Sequence, residues 1–228
     1  MIPARPLAPG ETFAFRCHPG VPCFNACCRD LELALTPYDV LQLAQGIGVP
    51  PSDFLNRYAV IEADDTTCFP RVYLGMVDDG QASCPFVSPA GCQVYAHRPG
   101  ACRTYPMGRG ASLGAPGAPP MVQHILVTES HCHGFGEGSP VTADDWAKDQ
   151  GLAPYQAAAD LLLPLLQHAR VRQGFRPTAR QRDLFIAALY TPDLCRPPGP
   201  PLHLAPPHDL VAAAVGWLIQ EFFGHAGR

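Results

Sequence analysis

The residue type most able to do chemistry in this chain is cysteine. Cys17, Cys23, Cys27 and Cys28 crowd together near the start, the last two adjacent. Cys84, Cys92, Cys102 and Cys132 follow at wider intervals. Thiolates in such numbers suit a soft metal or an iron–sulfur cluster. A tetrahedral site needs four ligands at ~2.3 Å from the ion. A short interval brings two of them together with little loss of chain entropy. Cys23 and Cys27 have that spacing, and Cys17 is near enough to join them. If the segment around Cys27 and Cys28 is extended, the two side chains point to opposite sides and serve two centres. Eight thiols fill two four-ligand sites, or one cluster plus one metal.

The identity of the metal is less sharply written. Structural zinc sites usually carry paired short knuckles, and only the Cys23–Cys27 interval fits one. Cys84 is followed directly by Pro85, as at the last cysteine of a bacterial ferredoxin run. These features favour an iron–sulfur cluster, with zinc as the alternative. His131 and His133 flank Cys132, and His18 follows Cys17. Each is read as a surface or hydrogen-bonding residue, replacement of a thiolate being the other reading.

Other chemistries find little support. No Gly-x-Ser-x-Gly elbow, P-loop or dinucleotide fingerprint occurs. Gly108, Gly110, Gly114 and Gly117 lie among proline and alanine, which predicts a flexible loop over 108–120, with Arg109 free to meet an anionic substrate. Asp64-Asp65 and Asp78-Asp79 read as solvated turns. The net charge is -4, Lys148 is the sole lysine, and no basic run appears, so no nucleic-acid partner is expected. The N-terminus lacks an apolar signal region, and the stretch Leu210 to Ile219 is too short to cross a bilayer. A cytoplasmic protein with reduced thiols and no membrane partner follows.

The elements that must position these cysteines are short. Thr36, Pro37 and Asp39 signal a helix start, and Gly46 and Gly48 its end. A second helix is expected over Ser52 to Val60, and strands over 71–77 and 121–127, the first closed by a turn at Asp78-Asp79-Gly80. From Val141 the chain turns helical. Thr142 with Asp145, and Thr178 with Gln181, have capping-box spacing. Tyr155, Ala158, Leu162, Leu165 and Leu166 recur at helical period, with Pro164 placed to split the helix. Residues 196–207 form a proline-rich linker. The last helix, Asp209 to Phe223, carries an apolar face that packs on its neighbours, or else receives a protein partner. The fold class is α+β: an irregular cysteine-rich domain over 1–138, then a mostly helical region over 139–228.

Two blocks of sequence carry a resemblance. Phe15-x-Cys17, Cys23 and Cys27-Cys28 are followed by Leu35-Thr36-Pro37-x-Asp39. Further on come Cys84-Pro85-Phe86, Gly91-Cys92-Gln93-Val94-Tyr95 and Arg98-Pro99-Gly100-Ala101-Cys102-Arg103-Thr104-Tyr105-Pro106. Over Phe13 to about Gly138 the chain resembles the YkgJ-type cysteine-cluster family, labelled zinc- or iron-chelating. The opening spacing, Cys-x5-Cys-x3-Cys-Cys, is looser than that family's, and His133 stands where it tends to carry proline. The resemblance implies a metal-binding module, and a flagellin lysine methylase that is similar to it supplies an enzyme precedent. Cys68 and Cys195 fall outside the motif and read as buried thiols. Arg98 and Arg103 are expected to bind the cofactor by offsetting thiolate charge, with Tyr95 and Tyr105 excluding water.

The functional expectation is a metal-binding protein with a redox or electron-transfer role. Alternatives are a cluster-dependent oxidoreductase or protein-lysine methyltransferase-like enzyme, and a structural zinc interaction module.

Overall fold

The computed structural model describes residues 4–64, 67–195 and 205–224. In chain order, β1 (Ala4–Leu7) and β2 (Thr12–Phe13) precede a 3-10 turn at Ala26–Cys28. Then come α1 (Pro37–Ile47), α2 (Pro51–Tyr58), β3 (Ala59–Glu62) and β4 (Arg71–Leu74). A tight hairpin of β5 (Val87–Ser88) and β6 (Gly91–Cys92) leads to α3 (Gly100–Thr104), β7 (Met107–Ser112), β8 (Met121–Val127) and β9 (Val141–Thr142). The rest is helical: α4 (Ala143–Asp149), α5 (Ala153–Leu161), α6 (Leu163–Leu166), α7 (Ala169–Arg172), α8 (Ala179–Tyr190) and α9 (Pro207–Phe223). The class is α+β, with short antiparallel strands and helices gathered toward the C-terminus.

Local chemistry sets most of these boundaries. Thr36 and Asp39 form a reciprocal capping box at the start of α1, Pro37 takes the first helical position, and Gly48 closes it at φ +71°. Thr142 with Asp145 and Thr178 with Gln181 cap α4 and α8 in the same way. Pro164 separates α5 from α6. The second helix stops two residues before its expected end, because Ala59 and Val60 enter β3 and pair with Leu74 and Tyr73. The first expected strand ends at Leu74, and Val77 bridges Ser83 instead.

The stretch expected to be a flexible loop over 108–120 is a strand over its first five residues and a turn-containing connection over 113–120. Residues 107–112 form β7, paired along its length with β8. Glycine serves the pairing at Gly108, where a Cβ would come within 2.8 Å of Ile125 Cγ1. Three strands thus make the largest sheet, β1 and β7 flanking β8.

Among the described residues two larger cores hold the chain, beside a small cluster of Tyr38, Tyr155 and Ala158. The principal one joins Val40 and Leu43 of α1, Phe54 of α2 and Val72 of β4 to Leu165, Leu189 and Leu218. It draws on both sides of residue 138. A smaller core under the sheet gathers Leu7, Phe13, Phe15, Met107 and Leu126. Val211, Ala214, Val215, Leu218 and Phe222 of α9 are buried, so the apolar face of that helix is covered within the chain. Most of the expected proline-rich linker lies outside the described residues. Among those residues no helix is long and apolar enough to cross a membrane.

Candidate metal centre

The thiols are brought together by pairings between distant parts of the chain. Phe15 bridges Phe135 in antiparallel fashion, and the Arg16 N–H donates to the Gly134 carbonyl at 3.0 Å. This lays Cys17 beside Cys132. The approach requires glycine, since a Cβ at Gly134 would meet Phe15 Cε2 at 2.7 Å and the Arg16 carbonyl oxygen at 2.9 Å. Cys23 joins them by accepting the His133 N–H on its sulfur at 3.1 Å. Although Cys17 reaches solvent, burial by the surrounding protein first, then Cys27, Cys23 and Cys132, push its thiol up to about 11.

Cys27 and Cys28 lie in the 3-10 turn, not in an extended segment. The turn begins at Asn25, at φ +67°, whose side chain is anchored on the Ser88 carbonyl at 3.0 Å. With three residues per turn, neighbouring side chains diverge by about 120°. The two thiols nonetheless stay in contact. A hydrogen bond shared between them lowers Cys27 to about 7 and, with burial, pushes Cys28 up.

The remaining thiols sit on the other side of Cys28. The Cys84 N–H donates to the Cys28 carbonyl at 2.8 Å, next to a bridge between Arg29 and Ser83. The β5–β6 hairpin pairs Val87 with Cys92, and the Val87 N–H donates back to the Cys84 carbonyl. Cys102 rides on α3, whose first N–H, at Gly100, donates to Asp39 Oδ1 at 2.7 Å. Cys102 is accessible to solvent, yet protein surrounds it densely enough to push its thiol up to about 12. Burial is the largest cause, followed by Cys84, Asp39, Cys27 and Cys92. Cys84 is raised by burial, and Cys92 and Cys27 add to it.

All eight cysteines expected to ligate thus belong to one continuous neighbourhood. Thiols crowded together resist ionisation, and a bound cation reverses that preference. The donors fit a soft metal in type and in grouping. Among the described residues no three His, Cys, Asp or Glu side chains converge as a ready-made ion site. Coordination would require the thiols to close further.

A family model of a putative zinc- or iron-chelating domain, CxxCxxCC, matches residues 16–133, more than half of the chain. The chain belongs to the CxxCxxCC family. The matched span contains every one of the eight grouped thiols, and Cys195 falls outside it. Neither a curated protein nor a solved structure matches the chain.

Within this CxxCxxCC domain the two expected cofactor-binding arginines differ in role. Arg98 is buried, donates to the Tyr95 carbonyl at 2.8 Å and to Gln150 Oε1 at 2.6 Å, and lies 3.8 Å over the Tyr95 ring. Burial lowers its pKa, and nearby Cys92 and Cys102 act the opposite way. Arg103 donates to the carbonyls of Arg98 and Gln150 and lies over Tyr155. These hydrogen bonds go to oxygen, so Arg98 reaches the thiols through its charge, and Arg103 clamps α3 to the residues around α4.

Tyr95, expected to exclude water, is 62% exposed. Tyr105 is the better shield. Its hydroxyl is buried beside Cys132 and Glu129 without a well-formed hydrogen bond to either, and burial, then those two groups, raise its pKa and keep it protonated. Arg109, expected to await an anion, is paired with Asp160 through two contacts of 2.8 Å. Cys68 donates to the Phe175 carbonyl, and Cys195 packs against the principal core; both are part-buried, and neither enters the pairings that gather the other eight thiols. His18 accepts the Gly20 N–H, and His131 approaches Glu129 at 3.6 Å. Asp39 and Glu129 were not foreseen. Asp39 reads locally as a cap, and no sequence signal ties it to Gly100.

Proposed function

We propose that this CxxCxxCC protein is a cytoplasmic, metal-binding protein that holds a cysteine-ligated iron–sulfur centre and passes electrons through it. The observation that carries the reading is a neighbourhood of eight thiols with a buried guanidinium beside it. Cys17, Cys23, Cys27, Cys28, Cys84, Cys92, Cys102 and Cys132 would supply the ligands. An iron–sulfur centre supplies one-electron chemistry when bound. The chain would provide a positive charge at Arg98 to offset the thiolates, and Tyr105 to keep water from Cys132.

The second reading, a zinc module without redox chemistry, is favoured by the Cys23–Cys27 interval and by the family's description. Iron, acid-labile sulfide and a visible spectrum, measured on protein purified without oxygen, separate the two. Iron with sulfide and a broad band near ~400 nm supports the cluster. Colourless, sulfide-free protein with zinc replaces it by the second reading.

A further inference from the structure

We infer that the eight thiols form two four-thiolate metal sites that meet at the Cys27–Cys28 pair, one made by Cys17, Cys23, Cys27 and Cys132, the other by Cys28, Cys84, Cys92 and Cys102, with Arg98 as counter-charge to the second alone. This rests on the reading that the thiols bind metal at all.

Backbone pairing and packing point to this division, and charge adds to it on the Arg98 side. The first group is assembled by the Phe15–Phe135 bridge and by the His133 N–H on Cys23. The second is assembled by the Cys84–Cys28 hydrogen bond and the hairpin that pairs Val87 with Cys92. The peptide between Cys27 and Cys28 joins them. In the 3-10 turn the two side chains leave the backbone in different directions while their sulfurs stay in contact, so the two groups meet at that pair. Cys84 and Cys92 lean on the principal core, whereas Cys132 leans on the smaller core beneath the sheet. Two thiols of the second group and one of the first are thus held by different cores, and the neighbourhood lies between them.

Arg98 lies within electrostatic reach of Cys92 and Cys102 and, among the described residues, no carboxylate forms an ion pair with it. A buried guanidinium without a carboxylate is costly, and thiolate charge beside it offsets that cost. On the other side, Glu129 lies near Cys27 and Tyr105 and opposes further negative charge. Burial acts first on both Cys17 and Cys102; after it the neighbours of Cys17 are Cys27, Cys23 and Cys132, and those of Cys102 are Cys84, Asp39, Cys27 and Cys92. Cys27 touches both lists, as a residue at the junction must. The two sites would therefore hold metal with different affinity, and the second would tolerate the more anionic complex.

Cobalt(II) titration of the metal-free full chain, reduced and anaerobic, tests this through thiolate-to-cobalt charge-transfer absorption. The wild type should take up two equivalents. Cys84→Ser/Cys92→Ser and Cys17→Ser/Cys132→Ser should each take up one, at unchanged helical circular dichroism. Should a double variant lose that signal, the single variants Cys92→Ser and Cys132→Ser are read in the same way. Arg98→Gln should weaken cobalt binding by about tenfold in the Cys17→Ser/Cys132→Ser background, Arg98→Lys should restore it, and Arg98→Gln in the other background should change nothing. One equivalent in the wild type, or complete loss in either folded variant, overturns the division and leaves metal binding standing. Equal weakening of both sites by Arg98→Gln overturns the counter-charge. No thiolate–cobalt absorption in the wild type overturns both the division and the reading beneath it.

Discussion

A thiol surrounded by thiols is hard to ionise without a cation, and Cys102 is the clearest case. It stays open to solvent, is pushed up to about 12 by burial and by Cys84, Asp39, Cys27 and Cys92, and sits on a helix fixed at its start. Cys195, like Cys84 and Cys92, packs against the principal core, but it lies outside the matched span. Replacing Cys102 by serine should lower the metal recovered per chain by about half, because a four-ligand site that is one thiolate short holds its ion poorly. Cys195→Ser should leave metal content unchanged. Elemental analysis of the two purified variants decides, and equal content in both would remove Cys102 from the ligand set.

Among the elements, the join between α1 and α3 matters most to the site. Asp39 Oδ2 accepts the Thr36 N–H and hydroxyl at the start of α1, while its Oδ1 accepts the Gly100 N–H at the start of α3. The carboxyl is buried, and burial raises its pKa against the pull of those donors and of Arg103. Loss of an ordinary helix cap costs about 1 kcal/mol, the effect expected for Thr36→Ala. Asp39→Ala should cost about 2–4 kcal/mol, because it removes the reciprocal half of the capping box and leaves the part-buried Gly100 and Thr36 donors unsatisfied. Urea unfolding measures both. If Asp39→Ala is no worse than Thr36→Ala, the carboxylate does not hold the helix that carries Cys102.

At the scale of the whole molecule, legibility in the sequence follows the distance over which each feature is encoded. The capping boxes of α1, α4 and α8 are written within three residues, and all were readable. Pro164 marks its own helix break. The strand at Met121–Val127 shows its apolar run, but β7 does not, because Gly108 and Gly110 look like loop until Ile125 is seen pressing on Gly108. Arg109 looked available because its partner, Asp160, lies on a helix far along the chain. The cysteines were legible as a set but not as a geometry. Cys17 meets Cys132 through a bridge between Phe15 and Phe135, and Cys27 with Cys28 depends on a 3-10 turn anchored at Ser88. No local pattern encodes either contact.

The central claim is that sulfur from these cysteines holds a metal between the two larger cores. X-ray absorption at the edge of the bound metal, on full-length protein purified without oxygen, tests it most directly. The account expects a first shell of sulfur at ~2.3 Å, without a dominant nitrogen or oxygen shell. A shell made of nitrogen and oxygen, or protein free of metal, would contradict it.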